Sequence, residues 1–281
     1  MFNKVLLAMD SSSAARELFN CIPDLRIMGM KELVIIHSIS VDQLQGKSLD
    51  NYRQVFAGRI EEKIKAIEQK EIAVKLLMPF GHAAEEIALA AEEENVDLIL
   101  IGSIGENIVR EFLLGSTVTE VIRRTNKPLL IEKYIHLGEG TRLLPICFQK
   151  LATVLLPTDF SPDSDRVYRK FLSAAGKIHR IILLNVVDKG QSAGEISQQE
   201  QKAADRLKEW QKKFNKKDGS VDIKISTGVT SQEIVSIVES EGVTLVAMPT
   251  KGLGLAKLIM GRTAEAVMRR SNCPVLLFKV K

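Results

Sequence analysis

The segment VLLAMDSSSAAR at residues 5–16 recurs as VLLPTDFSPDSDR at residues 154–166, so the chain of 281 residues repeats itself. The aspartates of the two segments lie 159 − 10 = 149 residues apart. Near the end of each half, Gly115 aligns with Gly261 at an offset of 261 − 115 = 146. A drift of three residues over a whole half indicates two copies of one fold that differ by short loop insertions and deletions.

Short aliphatic runs alternate with amphipathic segments in both copies. Runs this short, apolar at successive positions, are typical of buried parallel strands. Segments such as Asn51–Lys70 and Ala84–Asn95 carry apolar residues at helical spacing instead. The pattern predicts an α/β fold with two Rossmann-like open parallel five-stranded sheets in tandem, each with helices on both faces. The predicted strands are Lys4–Met9, Glu32–Ile39, Ile72–Met78, Asp97–Gly102 and Pro128–Lys133, then Thr153–Pro157, Arg180–Val187, Asp222–Ser226, Leu245–Met248 and Pro274–Lys279.

The chain is long enough for two compact domains of about 140 residues, each with its own core. We place the first domain at residues 1–135, a linker at 136–150 and the second domain at 151–281. Gly138, Gly140 and Pro145 interrupt regular structure in the linker.

Composition excludes several classes of function. The net charge of +4 comes without a basic stripe interleaved with aromatic residues, so we expect no nucleic-acid partner. Three widely separated cysteines argue for a reducing compartment. The first residues lack a signal peptide, and no apolar run approaches the roughly 20 residues that span a bilayer. The histidines show no metal-ligand spacing. We therefore predict a cytoplasmic protein without a membrane segment or a metal site.

The segment GSIGENIVREFLLGSTVTEVIRR at residues 102–124 follows the fourth predicted strand. Gly102 and Gly105 allow the backbone to turn sharply and approach a ligand closely. Gly115 and Ser116 open the next predicted helix, whose free N–H groups and positive dipole end suit a phosphate. The alternative interpretation of the two leading glycines is a tight turn between strand and helix.

Asp10 ends the first predicted strand, directly before a run of serines. The sequence does not display the strand order. If the order is 3-2-1-4-5, Asp10 and Gly102 face one crevice at the switch point of the sheet. A carboxylate there can accept hydrogen bonds from a base or a ribose. Asp10 can also serve as the N-cap of the following helix.

An aspartate that ends strand one, together with G-x2-G-x9-G-[S/T] after strand four, resembles the ATP-binding branch of the universal stress protein family. The resemblance covers both copies. It implies that adenosine lies near Asp10 and Ser38. It also implies that phosphates lie along Gly102, Gly105, Gly115, Ser116 and Thr117. Ser38 stands where the family usually has valine, so its contact would be made through the backbone. The implied cofactor is ATP or AMP, with Mg²⁺ as a further candidate.

The second copy departs from this motif in its loop, MPTKGLGLAKLIMGRTAEAVMRR at residues 248–270. Pro249 replaces the first glycine and removes a backbone donor. Arg262 replaces the serine and would either bind a phosphate or fill its place. We predict a domain that is structural or binds weakly. Its candidate residues are Asp159, Val186, Gly252, Gly261, Arg262 and Thr263.

These features predict an adenine-nucleotide sensor for ATP, ADP or AMP that acts in the stress response through an unknown protein partner. We expect no enzyme, or at most very slow ATP hydrolysis, because no nucleophile is matched with a general base. The alternatives are a slow nucleotide hydrolase or transferase, and an interaction module with vestigial sites. The apolar final strands, PLLIEK and PVLLFK, predict an intramolecular pseudo-dimer, with a homodimer as a further alternative.

Overall fold

The protein is described by a computed structural model that covers residues 1–46, 48–103, 114–137, 140–143, 148–188, 190, 192–214, 219–252 and 260–279. It divides into two compact units, Phe2–Leu143 and Leu144–Lys281, the second of which also includes Met1. The boundary between them lies inside residues 136–150, the segment for which the sequence predicts a linker.

The first unit contains one parallel five-stranded sheet in the order β3-β2-β1-β4-β5. This is the order 3-2-1-4-5, so the predicted fold class is confirmed. Its strands are β1 (Lys4–Ala8), β2 (Glu32–Ile36), β3 (Ala73–Leu77), β4 (Leu98–Gly102) and β5 (Leu129–Glu132). Its helices are α1 (Ser13–Glu17), α2 (Ile22–Met28), α3 (Val41–Leu44), α4 (Leu49–Glu68), α5 (Ala83–Glu93) and α6 (Ser116–Arg124).

An antiparallel hairpin follows this sheet and was not predicted. Its strands are β6 (Tyr134–Leu137) and β7 (Gly140–Leu143). β7 lies beside α1, so the hairpin runs from the end of β5 toward the helix that follows β1. The expected linker is therefore regular structure in its first part, because its backbone groups pair within the hairpin.

The second unit repeats the same sheet in the order β10-β9-β8-β11-β12. Its strands are β8 (Thr153–Pro157), β9 (Arg180–Val187), β10 (Ser220–Thr227), β11 (Leu245–Pro249) and β12 (Val275–Phe278). Its helices are α7 (Pro162–Leu172), α8 (Ala193–Lys213), α9 (Thr230–Ser240) and α10 (Arg262–Arg270).

The central strands are buried on both faces, which explains their uninterrupted aliphatic sequences. Val5, Leu6 and Leu7 are successive residues of β1 and all have no exposed surface. Since neighbouring side chains of a strand point to opposite faces, both faces of the sheet are covered. Val154 and Leu155 of β8 are buried in the same way. No helix among the described residues is long and apolar enough to cross a membrane.

Candidate functional site

The carboxyl ends of β1, β2 and β4 meet at one edge of the first sheet. β1 pairs with β2 on one side and with β4 on the other. The two connections that leave this edge diverge, which makes it the switch point where open α/β sheets bind ligands. Asp10, Ser38 and Gly102 all lie at or just beyond these strand ends. The fold thus brings together three of the residues that the sequence singled out.

Asp10 holds the start of α1 and keeps one oxygen for other partners. Its Oδ1 accepts the Ser12 N–H at 2.9 Å and the Ser12 hydroxyl at 2.5 Å. The Ser12 hydroxyl oxygen in turn accepts the Ala15 N–H at 3.0 Å and caps the helix. The N-cap is therefore Ser12, with Asp10 supporting it. Its Oδ2 has no partner among the described residues and can accept hydrogen bonds from a ligand.

A cavity of about 250 Å³ opens beside Asp10, between α1 and α4. It is small for a ligand pocket, so it suits one ring system or one end of a larger ligand. The side chains of Arg16 and Arg59 line it, and neither guanidinium has a hydrogen bond or ion pair with another described residue. Its remaining lining residues are Met9, Ser11, Phe56 and Ile60. Sequence reasoning missed both arginines, because exposed arginines on helices are common.

The main chain of Ser38 faces the end of β1. The residues before and after it donate their N–H groups, each at 2.9 Å, to carbonyls of β3 and its extension. Ser38 therefore turns its own N–H and C=O to the opposite side, where β1 has ended and Asp10 lies. These two groups have no hydrogen-bond partner in the described part of the chain. The Ser38 hydroxyl donates to the Gly81 carbonyl at 2.7 Å, so the side chain is engaged elsewhere.

His37 packs between the ends of β1 and β2 and the helix α4. Its ring is fully buried and stacks on Phe56, with ring centroids 3.9 Å apart. Its Nδ1 lies 3.1 Å from the Met9 carbonyl oxygen and its Nε2 lies 3.1 Å from the Tyr52 hydroxyl. A carbonyl only accepts, so Nδ1 carries the proton. His37 therefore joins the ends of β1 and β2 to α4 as a structural residue.

Gly102 ends β4 beneath the side chain of Tyr134. A β-carbon at position 102 would lie 2.5 Å from the Tyr134 hydroxyl oxygen and from a ring carbon. Any larger residue here would force the Tyr134 side chain to move, so glycine suits the close approach of this aromatic ring. A phosphate beside Gly102 would share this surface with Tyr134.

The loop after β4 is closed at its neck by one backbone hydrogen bond. The Gly115 N–H donates to the Ser103 carbonyl at 2.9 Å, and the Ser103 N–H donates to the Glu132 carbonyl at 2.8 Å. The donor of Gly115 is thereby used within the protein. Gly105 lies outside the described residues.

α6 begins directly after this neck and presents backbone donors. Gly115 is its N-cap, with φ −58° and ψ 147°, and provides no side-chain cap. The N–H groups of Ser116, Thr117 and Val118 have no partner in the described part of the chain. Three free N–H groups at the positive end of a nine-residue helix can bind an anion. No group of three or more His, Cys, Asp or Glu residues suited to a metal ion occurs within the described ranges.

The second copy has the same strand order as the first, but the space beside its aspartate, Asp159, is filled by the protein. Asp159 Oδ1 accepts the Ser161 N–H at 3.0 Å and the Ser164 hydroxyl at 2.6 Å. A β-carbon on Gly252 would lie 2.7 Å from Asp159 Oδ2, so the backbone occupies the space beside that oxygen. Val186 lies inside β9 and pairs with Ser226 of β10.

The loop of the second copy has the same neck as the first. The Gly261 N–H donates to the Thr250 carbonyl at 2.8 Å. Pro249 ends β11 at the position of Gly102, and Arg262 and Thr263 form the first turn of α10. Arg262 is exposed and makes no ion pair with another described residue.

Comparison with known proteins relates both copies to one family. A model described as "Universal stress protein family" matches residues 1–133 and 151–279. Universal stress protein MJ0577 of Methanocaldococcus jannaschii is 26% identical over 155 residues, which cover 47% of this chain and 96% of the relative. Universal stress protein Rv2005c of Mycobacterium tuberculosis is 23% identical over 242 residues, which cover 81% of this chain and 77% of the relative.

Solved structures share the fold over almost the whole chain. A universal stress protein from Archaeoglobus fulgidus superposes with a TM-score of 0.68 at 24% identity, covering 99% of this chain and 96% of its own. A protein from Pseudomonas aeruginosa described as a putative universal stress protein gives a TM-score of 0.71 at 13% identity, covering 99% and 93%. At these identities the likeness establishes the fold.

Proposed function

Since the chain belongs to the universal stress protein family, we propose that it is a stress-response regulator that binds one adenine nucleotide in its first copy. ATP, ADP and AMP are the candidate ligands. Occupancy of the site favours whichever conformation binds the nucleotide better, and a protein partner reads that conformation.

The observation that carries this proposal is the convergence of three sets of free polar groups at one sheet edge. Asp10 Oδ2 accepts hydrogen bonds and suits a ribose hydroxyl. The N–H and C=O of Ser38 form a donor–acceptor pair that matches the edge of an adenine ring. The N–H groups at the start of α6 suit the phosphates. A nucleotide is a ligand class that carries all three complementary parts.

Regulation is favoured over turnover by the character of these groups. Backbone N–H groups bind a phosphate in its ground state without a positioned nucleophile. Asp10 Oδ1 is engaged by Ser12, so the carboxylate supports the helix as well as the ligand. The hydrolase alternative would need a general base that faces the phosphates.

The second copy contributes less to binding in this proposal. Gly252 lies against Asp159, and Pro249 replaces the flexible glycine at the end of β11. Both features reduce the space and the donors open to a nucleotide. We expect one strong site per chain.

Calorimetric titration of the full chain with ATP, ADP and AMP tests the proposal. We expect a stoichiometry of about one, and an affinity reduced about tenfold or more by Asp10→Asn, since a hydrogen bond to a charged group is lost. Asp159→Asn is the matched control in the second copy and should leave the affinity unchanged. An absence of adenine-nucleotide binding, or equal effects of the two substitutions, would contradict the proposal.

A further inference from the structure

The two copies differ at one pair of positions beside the aspartate. Ser11 aligns with Phe160 at the offset 160 − 11 = 149, the same offset as their preceding aspartates. On the long helix that faces them, Arg59 of α4 aligns with Arg206 of α8 at the offset 206 − 59 = 147. The helix register is anchored by buried residues at that same offset, since Ile60 and Leu207 are both buried.

In the second copy, an aromatic ring lies under the arginine. The Arg206 guanidinium carbon lies 4.1 Å from the centroid of the Phe160 ring. Trp210 of the same helix also contacts Phe160, with ring centroids 5.7 Å apart and planes at 79°. Phe160 has a φ of 57°, a left-handed conformation that is unfavourable for a bulky residue. The contacts with Arg206 and Trp210 hold this ring against α8.

In the first copy, the same place is open. Ser11 has no ring to offer, and the cavity of about 250 Å³ lies between it and α4. Arg59 lines this cavity and is exposed, and its guanidinium has no ion pair or hydrogen bond with a described residue. Phe56 and Ile60 are buried and form an apolar part of its lining. The first copy therefore has the arginine without the ring.

We propose that Arg59 stacks on the base of the bound nucleotide, as Arg206 stacks on Phe160, and that Phe160 is a built-in occupant that closes the second site. This inference rests on the proposed function and adds the residue that recognises the face of the base. A guanidinium is planar and stacks on aromatic rings, whereas Lys presents a compact charge. A base in this place lies next to Asp10, which lines the same cavity.

The competing role for Arg59 is a phosphate contact, and ligand choice separates the two. Adenosine has the base without phosphates, and inorganic tripolyphosphate has phosphates without a base. Stacking predicts that Arg59→Gln weakens adenosine and ATP by the same factor, about threefold to thirtyfold. It also predicts no change for tripolyphosphate. A phosphate contact predicts a loss for ATP and tripolyphosphate alone.

Calorimetry on the full chain with these three ligands is the test. Arg59→Lys should lose affinity for adenosine nearly as Arg59→Gln does, because charge without a plane does not stack well. Arg206→Gln is the matched control and should change no affinity. Both arginines are exposed, so their replacement leaves the core intact.

Ser11→Phe provides a second, independent measurement. A phenylalanine there should occupy the cavity and weaken adenosine at least about tenfold, since the volume it fills is that of the base. Ser11→Ala should retain binding. Binding of adenosine that both Arg59→Gln and Ser11→Phe leave unchanged would overturn this inference while the proposed function stands. If neither adenosine nor ATP binds the unaltered chain, the proposed function fails and this inference fails with it.

Discussion

The Tyr134 side chain lies over Gly102 so closely that a β-carbon at position 102 would come within 2.5 Å of its hydroxyl oxygen. Gly102 ends β4, and Tyr134 begins the hairpin that follows β5. The glycine was selected from the sequence as a place where a ligand approaches the backbone. The structure adds an approach by the protein's own side chain, so the residue has a structural role even before any ligand binds.

Gly102→Ala should lower the free energy of unfolding by about 1–3 kcal/mol, because the added methyl group overlaps the Tyr134 ring. Urea denaturation measures the effect. In the background of Tyr134→Ala, the same substitution should cost much less, since the overlapping ring is gone. Equal costs in both backgrounds would show that the contact does not decide the need for glycine.

Ser116→Pro should weaken ATP about tenfold and leave adenosine unchanged, because one backbone donor to the phosphates is lost. Proline is tolerated at the first position of a helix, and the preceding Gly115 already has the extended ψ of 147° that proline requires. Circular dichroism should therefore show an unchanged helix content. Ser116→Ala separates the loss of the hydroxyl, and Arg262→Pro is the matched control on α10. A variant that binds ATP as well as the unaltered chain would contradict a phosphate contact at the Ser116 N–H.

Stability should fall in acid through two equivalent carboxylates at the opposite edge of the sheets. Hydrogen bonds from Lys75 and then Lys4 hold the pKa of Glu94 below its ordinary value of 4.5. Hydrogen bonds from Lys224, which has the larger effect, and from Arg180 lower the pKa of Glu241 in the same way. A depressed folded-state pKa contributes stability above pH 4.5 that is lost as the pH falls through the folded value.

The double substitution of Glu94→Gln and Glu241→Gln should therefore lower stability at pH 7 and flatten its decline in acid. Urea denaturation between about pH 3 and pH 7 measures both effects. Glu61→Gln is the control, because Glu61 pairs with Lys65 on an exposed helix face and contributes little. An unchanged acid slope in the double variant would assign the pH dependence to other groups.

ATP turnover should stay far below about one event per second, the lower end of typical enzymes. In the proposed site, the groups that would face the phosphates are backbone donors at the start of α6, which bind without activating a water molecule. Phosphate release by the full chain, followed with excess ATP, gives the rate. Release at enzymatic rates that Asp10→Asn abolishes would favour the hydrolase.

The sheets could be predicted because most of their strands are uninterrupted aliphatic runs. Strand limits were less accurate, since the predicted Glu32–Ile39 extends three residues past β2 and the predicted Asp222–Ser226 is shorter than β10 at both ends. Gly102, Ser116 and Asp10 could be selected as candidate site residues because they follow such strands or open the next helix, and their role in binding stays a prediction. The hairpin of Tyr134–Leu137 and Gly140–Leu143 could not be predicted from the sequence. Its glycines are typical of an interruption of regular secondary structure, and its pairing is decided by backbone geometry.

The direction in which main-chain N–H and C=O groups point could not be predicted from the sequence either. The main chain of Ser38 is open toward Asp10 because the pairing of β1 with β2 ends at Ala8 and Ile36, whereas the chain after β2 continues to bond beside β3 as far as Ile39. The role proposed for Arg59 has one signal in the sequence, which is a difference between the two copies. Arg59 aligns with Arg206, but the residue that aligns with Phe160 is a serine, Ser11. That signal becomes readable once the ring contact in the second copy is known.

One backbone hydrogen bond closes each loop where it leaves the sheet, and it separates the loop, which can change in evolution, from the strand and helix on either side, which cannot change as freely. It joins Ser103 to Gly115 in one copy and Thr250 to Gly261 in the other. The segment between them is 104–114 in the first copy and 251–260 in the second, one residue shorter. Because the neck sets where the segment leaves the sheet and where the helix resumes, residues inside it can be gained, lost or exchanged without disturbing the fold. After duplication, one loop was therefore free to diverge while its scaffold stayed under the same constraint as before.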